Sequence, residues 1–273
     1  LRLPVPPKLK NTGNYLVSIS QLCQILAAEA TAQGVTILTG IAAQTLHMQD
    51  NRVQGVQTGA MGLDIQGQPT QNTTPGTGIM AHTTWLAEGC GGHLSQEVMQ
   101  RFELSTVPQH YALGIREIWT APSQPGKVIH TVGWPLSSHA YGGGFIYHYP
   151  NDQLAIGWVS GLENPHSDPH QCLQDFKTHP AIAPQLRAGK RMGYAARTFD
   201  EGGWQALPQL NFPGGALLGC AAGMLDLASM KGMHHAIQSG MLAADHYDPN
   251  QPEMHHYDQA VRKGSIGQAL WRA

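Results

Sequence analysis

The run Gly214-Gly-Ala-Leu-Leu-Gly-Cys-Ala-Ala-Gly223, continuing into Met224-Leu225-Asp226, sets small residues where a backbone can meet a ligand. Gly219 and Gly223 carry no Cβ that would hold a bound group away. The pattern predicts an apolar strand over 216–218, a turn through Gly219 and Cys220, and a helix beginning near Met224. A helix start offers unpaired N–H donors and a partial positive charge, which suits an anionic or electron-rich group. Asp226 falls about one turn into that expected helix. Glu88-Gly89-Cys-Gly-Gly92 has the same character, at the end of an expected strand (83–87) and ahead of an expected helix (93–102). Both stretches also read as strand–turn–helix joints packed tightly for their own sake.

A third element is Tyr141-Gly142-Gly143-Gly144-Phe145, which precedes an apolar strand. Three successive glycines leave backbone N–H and C=O groups uncovered, and Tyr141, Phe145 and Tyr147 can wall a flat ring. The same triplet also fits a bulge or a flexible turn. Fifteen histidines invite a metal reading. The neighbours His234-His235 and His255-His256 should point their rings in different directions on a helix. His166 and His170 have i,i+4 spacing, but Pro165 and Pro169 argue against a helix there. No H-E-x-x-H, Cys/His quartet, G-x-S-x-G elbow, P-loop or paired-carboxylate site occurs, so no catalytic or metal-binding residue is assigned.

The elements that position these turns fall into two patterns. Ile19, Leu22, Cys23, Leu26 and Ala30 recur at helical spacing, with Ser18 as an N-cap and Gly34 as a stop. Residues 35–38 then predict a buried strand. Residues 45–49 and 52–57 alternate around Asp50-Asn51 and predict a hairpin, and 63–79 predict a second hairpin with a long loop. From about residue 104 the pattern becomes short alternating segments, at 112–119, 128–132, 144–149 and 154–159, as in an antiparallel sheet. A helix over 168–179 follows, stopped near Pro180.

Composition places these elements in a folded chain. Of 273 residues 41% are hydrophobic, enough for a substantial core. The net charge of −2 and scattered Lys and Arg give no nucleic-acid footprint. Cys23, Cys90, Cys172 and Cys220 are far apart in sequence, which suits a reducing compartment. No apolar run reaches the roughly 18 residues of a membrane span.

Motifs along nearly the whole chain resemble one family. They are Gly13-Asn-Tyr-Leu-Val17, Leu86-Ala-Glu-Gly-Cys-Gly-Gly-His-Leu94, His130-Thr-Val-Gly-Trp-Pro135 and Tyr141-Gly-Gly-Gly-Phe-Ile-Tyr-His148. Gly189-Lys-Arg-Met-Gly-Tyr-Ala-Ala-Arg197, Glu201-Gly-Gly-Trp204 and Phe212-Pro-Gly-Gly215 follow in the same order. Together they resemble electron transfer flavoprotein–ubiquinone oxidoreductase. The resemblance implies an α/β (α+β) chain, part of a two-domain FAD-binding flavoprotein fold with an inserted antiparallel-sheet substrate domain. Residues 1–103 and 201–273 would belong to the FAD-binding domain and 104–200 to a ubiquinone-binding domain. FAD would meet Glu88, Gly89, Gly219, Cys220, Gly223, Met224, Leu225 and Asp226. Gly142 and Gly143 would meet the quinone head, with Tyr141 and Phe145 beside it. Ser18 departs from the family, several members of which have an Arg there that reaches the cofactor.

The implied function is electron transfer from reduced electron transfer flavoprotein to ubiquinone, by a peripheral membrane protein. That membrane would be the bacterial one at its cytoplasmic face, or the mitochondrial inner membrane at its matrix face. The family's G-x-G-x-x-G turn is not found in the chain, nor are four Cys spaced for its [4Fe–4S] cluster. We therefore expect an internal piece of a longer oxidoreductase, with the cluster and the membrane-binding segments outside it. A related flavin dehydrogenase or a geranylgeranyl-reductase-like enzyme is the nearest alternative. A piece that binds no cofactor and catalyses nothing is the alternative of another kind.

Overall fold

The computed structural model describes residues 3–163, 168–250 and 253–273. Pro165 and His166 lie outside the described residues. Two compact units emerge: Leu1–Leu26 with Gln109–Glu201, and Ala27–Pro108 with Gly202–Ala273.

Helix α1 (Ile19–Ala32) forms where the apolar spacing predicts it. It stops at Gly34, whose φ of +89° lets the Val35 N–H donate back to the Ala30 carbonyl at 3.0 Å. No α1 residue is buried, and Ile25 is 66% exposed. The strand expected over 35–38 does not form. Val35, Ile37 and Leu38 are exposed, because no described strand lies alongside to complete a ladder.

β1 (Ala43–Gln49) and β2 (Arg52–Thr58) make the expected hairpin. Asp50 and Asn51 at its tip have φ of +49° and +56°, the positive pair a tight two-residue turn requires. The 63–79 region divides. β3 (Met61–Leu63) pairs with β4 (Pro69–Thr74), while β5 (Gly78–Met80) adds to β2. β6 (Thr84–Leu86) then leads into α2 (His93–Arg101), which buries Leu94, Ser95 and Val98.

The next stretch is one antiparallel sheet of five strands. β7 (Tyr111–Thr120), β8 (Val128–His130), β9 (Gly142–Tyr149), β10 (Gln153–Gly161) and β11 (Lys190–Asp200) lie in the order β11-β7-β10-β9-β8. Helix α3 (Pro169–Thr178) starts where the Asp168 carboxylate accepts the His170 N–H at 2.8 Å. After a short α4 (Ala183–Leu186), β11 returns along β7. The α3 residues Cys172, Leu173 and Phe176 close the core over Ile146, Leu154, Ile156 and Trp158. Glu117, 1% exposed, lies within this unit and accepts from Lys177 Nζ at 2.9 Å, Trp119 Nε1 at 2.8 Å and Arg191 at 3.2 Å. Burial pushes its carboxyl up, but the bonds from Lys177 and Trp119, the Lys177 charge and the Arg191 bond together hold it below the usual carboxylate range.

The chain then returns to the other unit through β12 (Asn211–Phe212) and β13 (Gly215–Leu217). β13 runs antiparallel to β12 and parallel to β6. Helices α5 (Met233–Asp245), α6 (His255–Lys263) and α7 (Ser265–Trp271) complete it. Leu86, Leu94, Phe212, Leu217, Met224 and Tyr257 form its core. The Tyr257 hydroxyl donates to the Leu217 carbonyl at 3.0 Å, and burial raises its pKa strongly. Among the described residues no helix is long and apolar enough to cross a membrane.

The helix expected at Met224 begins instead at Met233. A 3-10 turn over Gly219–Ala222 ends at Gly223, whose φ is +75°. Asp226 and Lys231 then bridge each other, N–H to carbonyl, at 2.9 and 3.1 Å. The Asp226 carboxylate accepts the Ser229 N–H at 3.1 Å. Such a local bond gives Asp a turn in place of a helix interior.

Candidate functional site

The parallel pairing of β6 with β13 unites two stretches that lie far apart in sequence. Gly215, Ala216 and Leu217 oppose Thr84, Trp85 and Leu86, and the Leu218 N–H donates to the Leu86 carbonyl at 2.9 Å. Parallel strands end on the same side. The Glu88-Gly89 turn and the Gly219–Gly223 turn therefore emerge together, at the carboxyl ends of neighbouring strands. In open α/β sheets that edge is where ligands bind.

The glycines there differ in what faces them. Gly89 and Gly91 have φ of +78° and +77°, and no heavy atom lies within 4 Å of where a Cβ would stand. A Cβ on Gly219 would come 2.9 Å from Ala236 Cβ on α5, so at Gly219 the space admits a helix and not a ligand. Its N–H donates to Ser239 Oγ at 3.0 Å. Glu88 turns its carboxylate onto α2, where Oε2 accepts both the N–H and the hydroxyl of Ser95 at 2.7 Å. That bond anchors the turn to the helix start. Met224 and Asp226 are buried, Leu225 and Cys220 half-buried. His235, 2% exposed, holds α5 to the turn through Nδ1 and the Met224 carbonyl, 3.0 Å apart.

The rings of His234 and His235 stand 3.9 Å apart, and do not diverge as helical neighbours were expected to. They occupy the first turn of α5, where no preceding turn constrains the side chains. Burial first, and then the His235 and Lys231 charges, lower the His234 pKa against the pull of Asp226. Among the described residues no group of three or more His, Cys, Asp or Glu could hold a metal ion.

The glycine triplet lies inside β9. A Cβ on Gly144 would meet the Phe176 ring at 2.5 Å, and one on Gly143 would overlap the Thr131 carbonyl. Gly144 is paired on both backbone groups: its carbonyl accepts the Thr131 N–H at 2.8 Å, and its N–H donates to Thr131 Oγ1 at 3.1 Å. Gly143 opposes Val159 in the β10 ladder. Only Gly142, by the alternation of the ladder, directs its N–H and C=O toward the loop beyond β8. The expectation of an uncovered triplet thus narrows to one residue, because two neighbouring strands claim the others.

Beside the triplet, aromatic side chains share one face of the sheet. Phe145 and Tyr147 have ring centroids 4.9 Å apart, and the His130 ring meets Tyr147 edge-on at 5.7 Å. His130 is the β8 partner of Phe145. Burial lowers the His130 pKa, and burial with the nearby Tyr149 raises that of Tyr147, so both rings stay neutral near pH 7. Tyr141, 54% exposed, carries a phenol raised by burial and by Glu201.

Residues 111–199, the five-stranded unit, match the family model described as ETF-QO, ubiquinone-binding. Over 257 residues the chain is 42% identical to the mitochondrial electron transfer flavoprotein–ubiquinone oxidoreductase of Caenorhabditis elegans, covering 89% of this chain and 43% of that protein. With the Pseudomonas aeruginosa protein of the same name it shares 44% over 250 residues, covering 88% and 45%. Over about nine-tenths of its length the chain is therefore similar to electron transfer flavoprotein–ubiquinone oxidoreductases. It spans less than half the length of these relatives. In fold it is similar to a geranylgeranyl bacteriochlorophyll reductase-like protein from Thermoplasma acidophilum, with TM-score 0.64, 16% identity and coverage of 92% of this chain and 57% of that one. A flavoprotein/dehydrogenase from Cytophaga hutchinsonii follows with TM-score 0.58, 16% identity and coverage of 92% and 56%.

Sequence reasoning missed His130 and His235 as side chains of the two candidate sites. His130 lay inside a quoted motif without a role. His235 had only its doublet as a signal. A polar cleft of about 560 Å³, lined in part by Arg52, Asn211, Glu253 and His255, holds none of the expected site residues. The Arg52–Glu253 ion pair spans it.

Proposed function

We propose that this chain forms the ubiquinone-binding domain, residues 104–200, and part of the FAD-binding domain, residues 1–103 and 201–273, of an electron transfer flavoprotein–ubiquinone oxidoreductase. The match of residues 111–199 to the ubiquinone-binding family model carries the reading. The whole protein would pass electrons from reduced electron transfer flavoprotein to ubiquinone while lying on a membrane surface, with its [4Fe–4S] cluster ligated outside these residues. FAD, when bound, supplies the redox chemistry.

The chain's own residues fit FAD at one edge. The Glu88-Gly89 turn has room for a ligand, Glu88 and Ser95 hold that turn rigid, and His235 fixes the Gly219–Asp226 segment beside it. Quinone reduction asks no acid–base residue to start it, so the protein's task is to place the ring and exclude water. Phe145 and Tyr147 give the ring a flat wall, and Tyr141 stands next to Gly142. The geranylgeranyl-reductase-like alternative rests on fold alone, at 16% identity.

Titration of the purified chain with a short-chain ubiquinone, followed by tryptophan fluorescence, tests the reading. Saturable quenching is expected, and a folded protein that shows none refutes it. FAD should bind the 273-residue chain weakly. The chain has no Gly-rich diphosphate turn, and each charge-assisted hydrogen bond of such a turn contributes about 1.5–3 kcal/mol. Recovery of this chain with stoichiometric FAD would contradict that reasoning.

A further inference from the structure

The quinone reading leaves a question of hydrogen bonding. A quinone ring presents two carbonyl oxygens, and leaving water for an apolar site costs them their hydrogen bonds unless the protein replaces them. The glycine triplet was the expected source of donors, yet Gly144 is committed to Thr131 and Gly143 to the β10 ladder. One backbone N–H, on Gly142, is left open at the strand edge. A second donor must be a side chain.

Residues 130–150 contain no Asp, Glu, Lys or Arg, so the charged side chains of this stretch cannot supply it. Besides Tyr141 and Tyr147, the polar side chain that strand pairing places on the aromatic face beside the triplet is His130. It opposes Phe145 across the β8–β9 pair, lies edge-on to Tyr147 at 5.7 Å, and precedes Thr131, whose carbonyl packs against Gly143. Its ring is half-buried, and among the described residues its nitrogens make no hydrogen bond. Neither ring nitrogen is sealed from solvent, so the imidazole N–H is within reach of a ligand carbonyl and is not spent on a protein partner. Tyr147 is the titratable group against it, and its raised phenol stays neutral, so no charge competes for the imidazole proton.

We propose that the imidazole of His130 is the side-chain hydrogen-bond donor to one carbonyl oxygen of the quinone, and thereby fixes the ring against Phe145 and Tyr147. This rests on the quinone-binding reading above. The donor is neutral, so it orients the ring without adding charge to a site that must release an uncharged quinol. No proton transfer is assigned to it.

The test compares the native chain with His130→Phe and His130→Gln, using ubiquinone-1 as the probe and tryptophan quenching as the readout. Loss of one hydrogen bond should weaken binding about tenfold in His130→Phe, while His130→Gln, which keeps an N–H, should stay within about threefold of native. A tetramethoxytoluene probe, with a similar ring but no carbonyls, should not distinguish the three proteins. Native binding with no loss in His130→Phe would overturn the role of His130 and leave the quinone site standing. No binding of ubiquinone-1 by the native chain would overturn both. Should His130→Phe fail to fold, the native protein decides by NMR. Saturating ubiquinone-1 should move the His130 imidazole N–H resonance downfield, as a new hydrogen bond to a carbonyl requires, and an unmoved resonance would refute the proposal.

Discussion

Replacing Gly143 with alanine adds one methyl group at the most crowded point of the proposed quinone segment. That methyl would overlap the Thr131 carbonyl oxygen and stand 3.2 Å from its carbon, whereas real Cβ atoms keep 3.0 Å or more from any heavy atom. The obstacle is backbone, so no rotamer change relieves it. β8 must move away from β9. That movement stretches the 2.8 Å bond from Thr131 N–H to the Gly144 carbonyl and the 3.1 Å bond from Gly144 N–H to Thr131 Oγ1. Two neutral hydrogen bonds at about 1 kcal/mol each, with overpacking of about 1–3 kcal/mol, give a destabilisation of about 3–5 kcal/mol. For a chain of this size the melting temperature should fall by about 10 °C.

Circular dichroism melting of the variant, with Gly193→Ala as control, checks the figure. Gly193 lies in β11 of the same sheet and has nothing within 4 Å of its Cβ position, so its substitution should change stability by less than about 0.5 kcal/mol. A Gly143→Ala protein melting within about 2 °C of native would show that β8 yields cheaply and that the crowding argument is wrong. The result bears directly on function. If the sheet loosens as calculated, lost quinone turnover in a Gly143 variant reports packing and says nothing about a backbone contact with the ring. Gly142 is no better a probe, because its φ of +151° and a Leu136 methyl 2.8 Å from its Cβ position already exclude a side chain.

Glu117→Gln should cost about 3–5 kcal/mol, because it leaves Lys177 and Arg191 around a buried neutral amide. Chemical denaturation measures it, and a loss below 1 kcal/mol would mean that those cations find water easily. Burial lowers the pKa of His130, His148 and His234 below the ordinary 6.5, so each folded-state imidazole resists protonation more than its unfolded counterpart. Their contribution is complete above pH 6.5 and is lost as pH falls through that value toward the folded pKa. For His148 the mechanism is specific: its Nδ1 accepts the Gln124 N–H at 3.1 Å, which a protonated ring cannot do. Melting temperature should therefore decline between about pH 7 and pH 5, and His148→Gln should flatten part of that slope. A flat profile in the native chain would refute the assignment.

Local rules were the legible part of this fold. Asp50-Asn51 specified a turn because those residues tolerate positive φ. Pro169, read as arguing against a helix at His170, instead takes the first position of α3, where its missing N–H costs nothing. Antiparallel strands between 111 and 161 were legible because neighbours in sequence are neighbours in the sheet, except for β7 and β10, which pair across the hairpin. The pairing of β6 with β13 was not legible, since nothing in residues 84–86 or 215–217 encodes a parallel partner so distant in the chain. The 35–38 segment failed for the converse reason. Val35, Ile37 and Leu38 have the composition of a buried strand, but burial needs a partner that local composition cannot provide.

The glycines show where sequence reasoning about a site stops. A glycine selected to admit a ligand and one selected to admit a neighbouring chain segment look alike in sequence, because both positions require only the absence of Cβ. The structure separates them by what occupies the vacated volume. At Gly143, Gly144 and Gly219 it is filled by Thr131, Phe176 and Ala236, so those residues would be glycine in a protein that bound nothing. At Gly89 and Gly91 nothing fills it, so positive φ accounts for the glycines while the space beside them, at the mouth of a parallel strand pair, stays open. The open turn after β6 is therefore the stronger candidate of the two strand ends for the proposed cofactor contact. In the proposed quinone site, Gly143 is spent on the β10 ladder and on Thr131, which leaves the side chain of His130 the better candidate donor.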